Sequence, residues 1–318
     1  MKMHKGVAAL LGEAERERRC AIGEGDAMQH ALRRRLKSLE LVSPYPNLYA
    51  RTEYWDLLNA EERSLHTIRA LAKKRPQWVF AGLSAVCLYG LDHAYGLHDG
   101  TIHIASRGGA RHRDSKRLRR LYMPGVGQPW NCHGIRVTSP ARTLIDCAKY
   151  PFANALAIFD SALRRQLISV EDIRSLAVRT ACDDRAVERL ASCASPASEN
   201  GGESLMRGLL IERGFAEPRL QTEFNNPDNP MAPYRVDFCW RLADGRVIVA
   251  EYDGMAKYAD TSKPNRATLQ SKLEYERRRE EHLKNQQVTV VQHVVYEDLI
   301  RPERLERKLM AAGVPKIR

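Results

Sequence analysis

The strongest constraint on this chain lies near its C-terminus, where two apolar runs each carry a carboxylate: Asp237 inside YRVDFCW and Glu251 at the end of VIVAEYDG. An ionised acid among apolar neighbours is costly to bury without a cation or a set of donors, so both segments predict strands that deliver acids to one site. Residues two apart on a strand project to the same side, which sets Glu251 with Asp253. The turn Ala243, Asp244, Gly245 reads as a hairpin that pairs the two strands and brings Asp237 beside them. Acids lining one cleft suit a hard divalent cation, Mg²⁺ or Mn²⁺, which orients water and stabilises charge on phosphorus in phosphodiester hydrolysis. The plainer reading has Asp237 and Glu251 satisfied by Arg235, Arg246 or backbone donors.

The flanking sequence supplies a frame. A helix is predicted from Glu203 to Arg213, closed by Gly214, then strands at Leu220 to Phe224, Arg235 to Trp240 and Val247 to Tyr252. A charged helix from Leu269 to Lys284, a strand from Val288 to Val295 and a helix after Pro302 complete the order. That order makes a mixed sheet flanked by helices. Glu203, in the first turn of its helix, faces a favourable macrodipole whether or not it also binds metal. Gln221 is either a neighbour of the metal or a polar edge residue. Upstream, SCASPASENGG (192–202) is rich in small and polar residues and reads as a linker.

The N-terminal half has a different character. Apolar residues recur at helical spacing over Val7 to Leu11 and Met28 to Leu41, and the second stretch carries Arg33, Arg34, Arg35 and Lys37 on its polar side. A proline turn and a short strand at Leu48, Tyr49 follow, the order of a winged helix-turn-helix whose basic helix meets phosphates. A solvated basic face is the alternative. Beyond it, Trp78 to Leu91 predicts a buried helix, Thr101 to Ala105 a strand, and Pro140 to Arg165 one or two amphipathic helices. Between the strand and these helices, RGGARHRDSKRLRR holds Arg111, Arg113, Lys116 and Arg117, a phosphate-binding loop or a solvated one. Ser139 before Pro140 signals a helix start, since no His and Asp partners stand at the spacing of a serine hydrolase.

Charge agrees with a polyanionic partner: 51 Lys plus Arg against 39 Asp plus Glu leave a formal net charge of +12. Such an excess also serves solubility alone. The seven cysteines are odd in number and never spaced CxxC, so neither a disulfide framework nor a zinc knuckle is predicted, and a reducing cytoplasm is expected. The first residues lack a signal-peptide core, and no run is long enough to span a membrane.

Taken together, ESLMRGLLIERGF, YRVDFCW, VIVAEYDGMAKY and EYERRREEHL resemble the PD-(D/E)XK nuclease superfamily, in particular the branch of the very short patch repair endonuclease. The resemblance covers about residues 198–300 and implies a restriction-endonuclease-like fold. It implies metal ligands at Asp237, Glu251 and Glu203 and a helical contribution from Glu276 and Arg279. Asp253 stands where the superfamily usually has lysine, and Lys257 or Lys272 would have to substitute. Residues 5–180, through AMQHALRRRLKSLELVSPYPNLYAR, GLSAVCLYGL and GIRVTSPARTLIDCA, are similar to AbiEi family antitoxins. That similarity implies operator binding and opposition to a nucleotidyltransferase-like toxin, in a toxin-antitoxin, phage-defence or DNA-repair setting.

The expectation is therefore an α/β chain, α+β overall. It comprises a winged helix over 1–60, an AbiEi-like αβ module over 61–190, a linker over 191–202 and a nuclease-like domain over 203–318. Two functions follow: a Mg²⁺-dependent endonuclease positioned by its front end, or a non-catalytic antitoxin or repressor with a degenerate nuclease-like domain.

Overall fold

The computed structural model describes residues 5–108, 114–123, 127–254 and 266–317, with side chains from 274 onward in the last segment. Its elements are mixed α and β, as expected, and the contacts divide into two units. The first comprises Met1–Lys149 and Ile168–Arg189, the second Tyr150–Leu167 and Leu190–Arg318.

The first unit opens with α1 (Lys5–Arg16), β1 (Ala21–Ile22), α2 (Asp26–Lys37) and a hairpin of β2 (Leu41–Tyr45) and β3 (Leu48–Arg51). Its small antiparallel sheet has the order β1-β3-β2. Val7, Leu11 and Ala14, one stripe of α1, bury against Ala31, Leu32, Leu41 and Tyr49, while Leu48 and Ile22 join a second core with Ile68, Leu71 and Phe80.

Next come α3 (Thr52–Leu57), α4 (Ala60–Lys74), which starts with a reciprocal Asn59–Glu62 capping box, and α5 (Gly82–Tyr89). The predicted helix from Trp78 begins only at Gly82, because Phe80 is drawn into bridges with Ile104 and Val137. Gly82 makes the corner at φ +49°, where an added Cβ would lie 3.1 Å from Leu121 and 3.3 Å from His103. Among the described residues, β4 (Ile102–Ser106) is followed by β5 (Leu118–Tyr122), parallel to it, before the next helix. A hairpin of β6 (Trp130–Cys132) and β7 (Ile135–Val137), then α6 (Pro140–Cys147) and, later in the chain, α8 (Val170–Ala177), complete this unit.

In the second unit a four-stranded sheet has the order β11-β10-β9-β8, built from β8 (Arg219–Phe224), β9 (Tyr234–Arg241), β10 (Val247–Asp253) and β11 (Val288–Val295). The β8–β9 and β9–β10 pairs are antiparallel and β10–β11 is parallel, the mixed sheet that the sequence predicts. Phe238, Trp240, Ile248 and Ala250 pack with α10 (Gly201–Glu212) and, near the C-terminus, with α12 (Tyr296–Leu299) and α13 (Pro302–Ala311). Val236, Cys239, Val247 and Val249 instead share a core with Leu283 of α11 (Arg266–Asn285).

The helix α7 (Phe152–Arg164), which sequence assigns to the middle module, groups with this second unit. Gly208 lets α10 approach closely: a Cβ there would stand 2.5 Å from the Ala153 Cα. Buried Asp160 of α7 receives the Arg207 guanidinium at 2.7 Å on both oxygens. The predicted linker is partly helical, since α9 (Asp184–Cys193) extends into it and Gly201 already begins α10. All seven cysteines are free. Among the described residues no helix is long and apolar enough to cross a membrane.

Candidate functional site

The sheet places Asp237 and Glu251 on neighbouring strands of the second unit. Pairing between β9 and β10 runs from Val247 with Arg241 to Ala250 with Phe238. The ladder ends there, with Asp237 and Glu251 the next residues of their strands. On the far side of β9, the pairs Leu220 with Phe238 and Thr222 with Val236 bracket Gln221 against Asp237. On the far side of β10, Glu251 is registered with His293. Gln221, Asp237, Glu251 and His293 thus cross four adjacent strands.

Contacts join part of this row to α10. The Gln221 amide donates to Glu203 Oε2 at 3.0 Å and to Asp237 Oδ1 at 3.3 Å, so one neutral group bridges two carboxylates. Gln221 holds φ +48°, a left-handed conformation that costs a non-glycine residue about 1–3 kcal/mol. Asp237 Oδ2 accepts from the Tyr252 backbone N at 2.8 Å where the β9–β10 pairing ends. Glu203 reaches the site because Asn200 caps α10, accepting from Gly202 N and Glu203 N, while its own amide donates to Glu203 Oε1 at 2.6 Å. The Glu199 backbone N donates to the other oxygen at 2.7 Å. Burial, reinforced by the charge of Asp237, pushes the Glu203 carboxyl up to about 7.

Glu251 is engaged differently. Arg279 of α11 grips it with two hydrogen bonds, 2.8 Å to Oε2 and 2.6 Å to Oε1, and also donates to the Arg235 carbonyl at 3.0 Å. Neither Arg235, paired with Glu199, nor Arg246, paired with Asp244 at 2.8 Å, makes that neutralising bond. Asp253, two residues on, accepts from His293 at 2.8 Å, and this hydrogen bond lifts the imidazole above its ordinary range. No three of Glu203, Asp237, Glu251 and Asp253 bring ligand oxygens within 4.8 Å of one another. Glu203 and Asp237 therefore meet through Gln221, whereas Glu251 is held by α11. The expected lysine substitute Lys257 lies outside the described residues, as does the Lys272 side chain.

Sequence reasoning missed the Arg279–Glu251 pair. EYERRREEHL shows three adjacent arginines on one helix, and although the resemblance points to Arg279, only packing on the sheet gives it Glu251 as partner. For a hard cation the fit is partial: Glu203 and Asp237 offer carboxylate oxygens, but the amide between them presents its nitrogen and would have to flip to offer oxygen. Glu251 could join such a set only by leaving Arg279.

The first unit carries the basic residues. Arg33, Arg34 and Lys37 lie exposed on α2. Arg35 departs from expectation: it is 3% exposed, donates to the Ala31 carbonyl at 2.9 Å and approaches Glu40 at 3.9 Å. Its position four residues after Ala31 puts it on the inward stripe with Leu32 rather than on the solvated face. Lys116 and Arg117 are exposed, and Arg117 Nη1 donates to the Ser43 carbonyl of β2 at 2.5 Å, tying this residue to the β2–β3 hairpin. Arg111 and Arg113 lie outside the described residues.

The segment Val137, Thr138, Ser139, Pro140 turns strand β7 into helix α6. Ser139 Oγ accepts from Arg142 N at 3.3 Å, Pro140 occupies the first helical turn, and buried Thr138 and Thr143 hydroxyls meet at 2.9 Å. Ser139 is thus a helix cap, as predicted. Arg142 donates to Asp146 at 2.9 Å, yet burial pushes the Asp146 carboxyl from 3.8 up to about 6.

Because the folded value lies above the ordinary one, this group contributes stability fully below about pH 4 and loses it as pH rises through about 6. Asp146→Asn should therefore gain stability relative to wild type across that window and stay level above it. Urea unfolding at several pH values checks this, and a pH-independent difference would contradict the burial argument.

Residues 80–193 match a family model described as the AbiEi antitoxin C-terminal domain. The matched stretch includes GLSAVCLYGL and the Ser139 cap and ends before α10. The crystal structure of the RV2827C protein from Mycobacterium tuberculosis is similar at 15% identity and TM-score 0.36, covering 71% of this chain and 90% of that one. Comparison with curated proteins finds no match.

Proposed function

We propose that this chain is a DNA-binding protein of toxin-antitoxin or phage-defence type whose second unit is a Mg²⁺-dependent phosphodiesterase of the PD-(D/E)XK kind. The observation that carries the reading is the Glu203–Gln221–Asp237 linkage. A buried acid, Glu203, and a partly buried one, Asp237, are held together across the neutral amide of Gln221, itself in a strained backbone conformation. Asp237, Glu203 and Gln221 would hold Mg²⁺ or Mn²⁺, with Glu251 added on release from Arg279. Bound there, the ion would polarise a phosphate and lower the pKa of an attacking water. Tyr252 N fixes the orientation of Asp237, and Asn200 fixes that of Glu203. Lys257 would supply the cation that Asp253 does not.

The matched region supports DNA as the first unit's partner and a nucleotidyltransferase-like toxin as a second one. Arg33, Arg34 and Lys37 on α2, with Lys116 and Arg117 beside the wing, would bear on phosphates. Substituting alanine at Arg33, Arg34 and Lys37 together should reduce the slope of log affinity against log salt by about 2.7, at about 0.9 per lost phosphate contact. Arg35→Ala should instead lower stability and leave the slope unchanged. Fluorescence anisotropy on duplex DNA over a salt series measures both, and an unchanged slope in the triple variant would remove α2 from the interface.

Cleavage is tested with the purified full chain on supercoiled plasmid and on single-stranded DNA, in Mg²⁺ or Mn²⁺ and in EDTA. Metal-dependent nicking that is lost in Glu203→Ala supports the reading. Equal traces with and without metal, or with wild type and variant, overturn it.

The second reading is a non-catalytic antitoxin or repressor. Arg279 favours it, because a bidentate arginine on Glu251 neutralises one expected ligand from within the chain. DNA binding without metal-dependent cleavage would select it.

A further inference from the structure

A second cluster lies in the first unit. Cys87, in the last turn of α5, and His93 and His98, in the segment after that helix, bring Sγ and two imidazole nitrogens within 4.8 Å of one another. Cys87 Sγ stands 4.0 Å from His93 Nε2 and 3.9 Å from His98 Nε2, and the two Nε2 atoms are 2.7 Å apart. Gly90, at φ +61°, ends α5 and turns the chain so that the histidines fold back over Cys87.

The outer nitrogens are also engaged. His93 Nδ1 contacts the Leu91 carbonyl at 2.7 Å and must donate to it. His98 Nδ1 contacts Ser64 Oγ of α4 at 2.9 Å. When His98 Nδ1 also donates, two Nε2 lone pairs face each other and a thiol, an arrangement that a shared cation relieves. Cys87 is 3% exposed and both histidines are half-buried, so the cluster has an apolar floor and an open side.

We propose that Cys87, His93 and His98 form a transition-metal site whose occupant is Zn²⁺. Thiolate and imidazole donors suit this borderline-soft ion, whereas Mg²⁺ prefers the oxygen donors of the second unit. Tetrahedral zinc would set sulfur and nitrogen about 3.6 Å apart and the two nitrogens about 3.4 Å apart, so each ligand needs to move by less than about 1 Å. Binding replaces the Cys87 thiol proton, which is released to solvent. Water or a carboxylate completes the fourth position; Glu61, one turn before Ser64 on α4, bears electrostatically on Cys87. The bound ion would fasten the 91–98 segment to α4 and α5, inside the region matched to the antitoxin domain.

The probe is Co²⁺ added to the metal-free full chain, followed by absorption spectroscopy. One equivalent should produce tetrahedral d–d bands with a thiolate-to-cobalt charge-transfer band, and Zn²⁺ should displace it. Cys87→Ala should lose the charge-transfer band, and His93→Gln or His98→Gln should weaken Co²⁺ binding at least 10-fold. Asp237→Ala should retain the full spectrum, because its site offers only oxygen. Far-UV circular dichroism identifies folded variants, and Zn²⁺ should raise the unfolding temperature of wild type but not of a folded Cys87→Ala protein. Absence of a charge-transfer band in wild type, or its survival in Cys87→Ala, would overturn the assignment in favour of a hydrogen-bonded histidine pair.

Discussion

Arg207→Leu is expected to destabilise the second unit by about 3–5 kcal/mol, because it removes one member of a buried ion pair and leaves the other uncompensated. Asp160 is 0% and Arg207 3% exposed. The guanidinium serves both Asp160 oxygens and also donates to the Cys193 carbonyl at 2.6 Å, while Ser195 N donates to Asp160 at 2.8 Å. One cluster thereby joins α7, α10 and the segment between α9 and α10.

Burial already lifts the Asp160 carboxyl above its ordinary range with Arg207 in place. Without Arg207 the acid would resist ionisation further, so the loss should grow as pH rises. Hydrogen exchange of α7 and α10 amides reads the effect within this unit. An additional Asp160→Leu change should recover part of the loss, since two apolar residues leave no buried charge. A variant as well protected as wild type would show that the pair contributes little.

Asp237→Ala is expected to reduce metal-dependent cleavage at least about 100-fold, since a metal ligand of this kind supplies several kcal/mol of transition-state stabilisation. Asp237→Asn separates chemistry from folding. It keeps an acceptor for Tyr252 N but removes the charge beside Glu203 and the weaker bond from Gln221, so cleavage should fall far more than the small loss of stability explains. Duplex binding should be unchanged in both, because α2 and the β2–β3 hairpin belong to the other unit. Full cleavage by Asp237→Asn would exclude this row as the catalytic centre.

Much of the second unit was legible from local pattern. The apolar runs around Asp237 and Glu251, the 243–245 turn and the 288–295 run correspond to β9, β10 and β11, because alternation and turn chemistry act over a few residues. The same local logic identifies the Ser139 cap and the strand at Leu48 and Tyr49, whereas Leu41–Tyr45, read as helix end and proline turn, forms β2. Register then follows from the hairpin, which is why β9 and β10 could be anticipated as antiparallel neighbours.

Partner choice could not be read in this way, because it depends on which elements pack together. Burial of Arg35 was missed because a run of three arginines masks the inward stripe that Ala31 and Leu32 define. The helix α7 reads as part of the middle module in linear order, yet Gly208 and Arg207 bind it to α10. Neutralisation of Glu251 by Arg279 joins residues 28 positions apart. Cys87, His93 and His98 lack a familiar ligand spacing and meet only because Gly90 reverses the chain over α5.

For the acids in the two apolar runs, the sequence by itself determined that they occupy neighbouring strands. Only the tertiary structure decided that Glu203 and Asp237 share Gln221 while Glu251 goes to α11. Strand patterning positions a backbone, but the partner of a buried charge is set by whichever helix packs across it.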